Sequence, residues 1–184
     1  LTETRYVDCQ SNISWKSGAE LAITQFSWQE DRILTSFSLG KSITIQPGLY
    51  NMISSSATLS GPAKNNFSGN VSSTVGKFYG GNRISVSPSA LYNCSRHLSI
   101  GIDYEFNHIR FPNSYSEIND GLFETNLTRL SVSYYLSTKF SVKLFTQYED
   151  ISNEVSSNLR IRYNPREGTD LYIVFNQGLN TNTD

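Results

Sequence analysis

Asp103 and Glu105 stand two residues apart, so both carboxylates fall on one side of an extended segment. Two carboxyl groups on one face are the minimum for acid–base work on a glycosidic bond, one as proton donor and one as base or nucleophile. Nothing around them marks a pocket, and the plainer reading is surface or lumen charge balanced by arginine or lysine. Arg160 and Arg162 repeat the arrangement with cations, which suits an anion or a selectivity patch in a pore. Pairing with Glu149 or Glu154 on neighbouring strands is the simpler account. His97 and His108 have no partner at metal-ligand spacing, so neither a metal nor a cofactor is expected. Tyr79-Gly80-Gly81-Asn82 lacks the Lys-Ser/Thr and the helix of a phosphate loop and reads as a hairpin turn. Asp170, close behind Gly168, reads as a turn former. No serine or cysteine sits in a nucleophile motif, so no catalytic residue is assigned.

These side chains must be carried by strands. From Leu98 to Phe106, Leu98, Ile100, Ile102, Tyr104 and Phe106 alternate with Ser99, Gly101, Asp103 and Glu105. One face is apolar and the other polar or charged. The same period recurs along the chain and predicts about ten strands at meander spacing. The first covers about 19–28, with Ala22, Thr24, Phe26 and Trp28 on one face, and the second about 33–39. Others follow near 48–59, 67–79 and 83–92. Beyond 98–106 come 126–136, 140–149, 154–163 and 170–176. In these later strands Lys143, Glu149, Glu154, Arg160 and Arg162 oppose Val142, Leu144, Tyr148, Leu159 and Ile161. Helical periodicity is weak throughout, and 1–184 reads as a single barrel domain or the C-terminal part of one.

Composition narrows the function. The chain has 184 residues, 17% of them charged, with a net charge of −1, which gives no reason to expect nucleic-acid binding. No apolar run is long enough for a transmembrane helix. A mean hydropathy of −0.36 does not exclude a membrane barrel, whose strands give only alternate positions to lipid. The first twenty residues lack the pattern of a secretory signal and the chain begins with Leu1, so it is expected to be a mature or excised piece. Cys9 and Cys94 allow one disulfide or two thiols.

The alternating pattern fits two architectures. A soluble antiparallel sandwich would turn Asp103, Glu105, Lys143, Glu149, Glu154, Arg160 and Arg162 to solvent. An outer-membrane barrel would turn them to its lumen and the apolar stripes to lipid. Strands near nine residues, aromatic residues at their ends (Tyr79, Tyr92, Phe106, Tyr148, Tyr163) and missing helices favour the barrel. Short connections alternate with a longer one at 112–121, as in such barrels. The brief 150–153 and the longer 164–169 break that alternation.

Several segments also resemble a family. Gly76-Lys77-Phe78-Tyr79-Gly80-Gly81-Asn82-Arg83, Ile45 to Tyr50, Leu98 to Pro112 and, most specifically, Ser157 to Tyr163 with Gly168 to Gly178 are similar to the C-terminal barrel domain of a Bacteroidota outer-membrane family. Its members carry an N-terminal domain like family-nine carbohydrate-binding modules. The resemblance spans about 30–178. It implies an antiparallel up-and-down meander forming part of an outer-membrane β-barrel. The expected role is a membrane anchor or wall with a narrow solute path. Outer-membrane lipid is the expected partner, and carbohydrate is reached through a domain outside these residues. The alternatives are a soluble β-barrel or sandwich binding a glycan or small ligand, and a hydrolase of polysaccharide processing.

Overall fold

The computed structural model describes residues 4–40, 43–62, 66–112 and 121–181. Ten strands follow one another in a single antiparallel sheet: β1 (Thr4–Ser14), β2 (Glu20–Ile33), β5 (Gly48–Ser60), β6 (Phe67–Phe78), β7 (Gly81–Asn93), β8 (Leu98–Arg110), β9 (Leu122–Ser137), β10 (Phe140–Glu149), β11 (Glu154–Arg166) and β12 (Thr169–Asn180). Two short strands, β3 (Phe37–Leu39) and β4 (Ile43–Ile45), pair with each other between β2 and β5. No helix is long and apolar enough to cross a membrane among the described residues. The all-β up-and-down meander expected from the alternation is the observed fold.

The expected ten strands agree in number with the sheet but not in identity. β1 went unread, because Tyr6, Val7, Cys9 and Ile13 keep no steady phase and the β1–β2 register slips between Cys9 and Gln10. The segment 33–39, read as one strand, is the end of β2 followed by the first arm of the β3–β4 hairpin. The face assigned to 19–28 also needs correction. A bulge between Thr24 and Ser27 shifts the β2–β5 register. Ala22 and Thr24 therefore share a face with Thr58 and Ser56, while Trp28 lies opposite Ile53 on the other. β11 extends to Arg166 and β12 begins at Thr169, so the connection read at 164–169 is a two-residue turn at Glu167 and Gly168.

The chain forms two compact units. The first comprises Leu1–Ser60, Val71–Ser87 and Phe106–Thr125. Its apolar alternate positions face outward: Leu49, Ile53 and Leu59 of β5 are about half exposed, while Ser54, Ser56, Thr58 and Ser60 between them are partly buried. The polar face is close-packed. Ser72 Oγ lies 3.0 Å from Thr58 Oγ1, and a Cβ on Gly76 would collide with Ile53 O and Ser54. At one end of this face sits the β3–β4 hairpin. Ile43 and Ile45 are 1% and 0% exposed against Ile109 and Phe111, with Leu39, Tyr50, Phe78, Tyr79 and Phe123 around them.

The second unit comprises Gly61–Asn70, Pro88–Glu105 and Asn126–Asp184. Here β9 to β12 pair in unbroken sequence order, and no buried apolar cluster forms among the described residues. A tie fastens the β10–β11 turn to β9: the backbone N–H and side-chain amide of Asn126 donate to the two oxygens of Asp150 at 2.8 and 2.6 Å. Tyr104 in turn donates to Asn126 Oδ1.

Candidate functional site

The β10–β11 and β11–β12 registers place Lys143, Glu149, Glu154, Arg160 and Arg162 on one face of the second unit. Glu105 joins them through Arg129, whose guanidinium lies 3.7 Å from its carboxylate and also donates to Gln147 at 3.3 Å. Both members of the ion pair are about one-third exposed, so it contributes at most about 1 kcal/mol. Asp103, two residues before Glu105, shares the face by strand alternation. All seven residues singled out from the sequence therefore lie on one side of the sheet.

The pairing expected between Arg160 or Arg162 and the glutamates does not form. Glu149 stands directly opposite Glu154, and Lys143 directly opposite Arg160. A strand advances about 3.3 Å per residue, which separates Arg160 from Glu154 by roughly 20 Å. Acids thus gather at one end of the β10–β11 pair and bases toward the other. Like charges facing each other across strands are destabilising unless water or an aromatic face relieves them. Lys143 Nζ lies 5.8 Å from the Tyr135 ring centre, and Arg160 Cζ 5.6 Å from that of Tyr172. Arg162 Nε takes Asp170 at 2.8 Å, a residue that also accepts from Asn164 Nδ2 at 3.0 Å. Asp170, read as a turn former, is therefore an ion-pair partner.

The histidines serve local contacts. His97 Nδ1 lies 2.6 Å from Tyr135 O, and His108 Nδ1 lies 2.8 Å from Glu124 Oε1. Among the described residues, no three His, Cys, Asp or Glu side chains gather as metal ligands. Cys9 and Cys94 are exposed free thiols.

Tyr79, expected among the aromatic ends of the apolar face, turns the other way. Tyr79 and Gly80 form the two-residue turn between β6 and β7, with φ of 44° and 87°. The phenol donates to Asp31 Oδ2 at 2.9 Å, and its ring meets Phe37, Tyr50 and Phe78 edge-on. Asp31 is 7% exposed and also accepts from Gln29 at 3.1 Å. Burial, then the hydrogen bond to Asp31 and its charge, push the Tyr79 hydroxyl up to about 12. The folded pKa lies above the ordinary 10.0, so this stabilisation is complete below pH 10 and lost as pH rises through 12. Alkaline titration of phenolate absorbance is expected to show a component near 12 that Tyr79→Phe lacks. If the component that Tyr79→Phe removes titrates in the ordinary tyrosine range, the Asp31 contact is absent in solution. Sequence reading missed this cluster because Asp31 and Tyr79 are far apart in the chain and neither belongs to a motif.

Comparison with known proteins bears on the fold. No family model matches the chain, and no curated protein does. Among solved structures it is similar to OmpT, an outer membrane protein of Vibrio cholerae folded in vitro, at 12% identity and a TM-score of 0.55. The match covers 95% of this chain and 54% of that one, so the chain spans about half the length of its structural neighbour. At this identity the likeness concerns architecture alone, and the architecture is that of an outer-membrane β-barrel.

Proposed function

We propose that this chain is wall and anchor of a β-barrel in the bacterial outer membrane. Its apolar face meets lipid, and its charged face lines a narrow polar path. The observation that carries this reading is the inverted burial of the alternating strands. Large apolar side chains such as Leu59, Ile102 and Ile173 stand 50% exposed or more, while Asp31 is buried and only five apolar residues are buried among those described. In water, an apolar surface of this extent marks an interaction face, and a hydrocarbon layer fits one made of alternate strand positions. Under this reading Asp103, Glu105, Lys143, Glu149, Glu154, Arg160 and Arg162 face the bore, where water screens the like-charge neighbours. The likeness to an outer-membrane barrel supports the location. The link to surface carbohydrate rests on the family resemblance over about 30–178 alone.

The test is physical partition. The full chain is expected to require detergent, to give an all-β circular dichroism spectrum and to change gel mobility on heating. A chain that stays monomeric and folded without detergent overturns the reading.

A further inference from the structure

Within the first unit, a small cavity of about 90 Å³ lies beside β2, β5 and β7, lined in part by Ser27, Met52, Ser54, Phe78 and Arg83. It has room for roughly three waters. Among the described residues, Arg83 Nε is buried without a hydrogen bond and no carboxylate lies within ion-pair distance of its guanidinium. One flank of that guanidinium rests on the Phe78 ring, 5.2 Å from its centre. Lys77 adds a second cation to the lining, its ammonium donating to Asn82 Oδ1 at 2.7 Å. No acidic side chain lines the space. The nearby Asp31 carboxylate is outside the lining; its Oδ2 accepts from Tyr79 and Gln29, and its Oδ1 is buried without a hydrogen bond among the described residues.

We propose that this cavity binds a small monovalent anion, of the size of chloride or acetate, through Arg83 with the Ser27 and Ser54 hydroxyls as further donors. A partly buried guanidinium without a counter-charge is costly to hold, and an anion removes that cost. Charge-assisted hydrogen bonds to Arg are also the strong kind. The volume sets the upper limit on size, since a ligand much larger than a few waters would clash with Met52 and Phe78. This goes beyond the barrel reading and does not require an open path.

The experiment is a titration of the full chain, refolded in detergent, with sodium acetate and sodium chloride in separate arms. The Arg83 Nε–H resonance, assigned by its loss in Arg83→Gln, is followed by nuclear magnetic resonance. A bulky organic sulfonate at equal ionic strength serves as the comparison. The expected result is a saturable shift with acetate, chloride or both, and none with the sulfonate. Acetate alone assigns a carboxylate, and saturation by both assigns any small monoanion. Ser27→Ala with Ser54→Ala is expected to raise the half-saturating concentration about tenfold. A linear response, an equal response to the sulfonate, or an unchanged midpoint in the double variant overturns the proposal. The barrel reading stands or falls separately, on partition and heat-modified mobility.

Discussion

Arginine in place of Ile102 is expected to cost about 2–4 kcal/mol, the penalty for a cation facing lipid near the middle of a barrel strand. Ile102 lies inside β8 and is 50% exposed on the apolar face. The measurement is denaturant unfolding of the full chain in lipid vesicles, followed by tryptophan fluorescence. Glu105→Gln, on the opposite face, is the matched control. It removes an ion pair of modest worth and should shift stability by about 1 kcal/mol or less. The contrast separates the two architectures because each makes its own forecast for the same site. On a water-exposed surface, arginine at a half-exposed position would change stability by about 0.5 kcal/mol. Near-equality of the two variants would therefore remove the lipid from the account.

Ile45→Ala is expected to destabilise by about 2–5 kcal/mol, the range for emptying a filled aliphatic site. Ile45 is 0% exposed and belongs to the buried apolar cluster with Ile43, Ile109 and Phe111. The loss should concentrate on the hairpin, so limited proteolysis between Phe37 and Ile45 should accelerate before the main sheet yields. Ser38→Ala, at an exposed position of the same hairpin, should leave the cleavage rate near that of the parent. Equal protection of both variants would show that the hairpin does not depend on this seat.

The fold was legible because period-two alternation is a property of each strand by itself. Leu98 to Phe106 and Phe140 to Glu149 needed no neighbour to be read; exposure alternates along the first, and the registers of the second keep its charged residues on one face. What stayed hidden depended on neighbours. The bulge between Thr24 and Ser27 reverses the phase of Trp28, yet both halves of β2 alternate plausibly alone. The β3–β4 hairpin escaped for a related reason. Phe37, Leu39, Ile43 and Ile45 alternate as any strand pair would, and nothing in their order says that they cover Ile109 instead of joining the sheet. Side-chain composition revealed which residues share the charged face. Partner choice did not follow, because Glu149 and Glu154 meet through the register of a hairpin whose turn was visible only as the brief Asp150-Ile151-Ser152-Asn153.

The hairpin's seat also orders assembly. Each strand of the sheet finds its partner in the next strand to be made, so pairing can advance one hairpin at a time with little loop-closure cost. Ile43 and Ile45 are the exception, since Ile109 and Phe111 arrive only after three further strands of the sheet. Synthesis therefore delivers the most deeply buried large side chains among the described residues long before the surface that buries them. Closing that cluster is a late event, and a chain halted before β8 would carry it open.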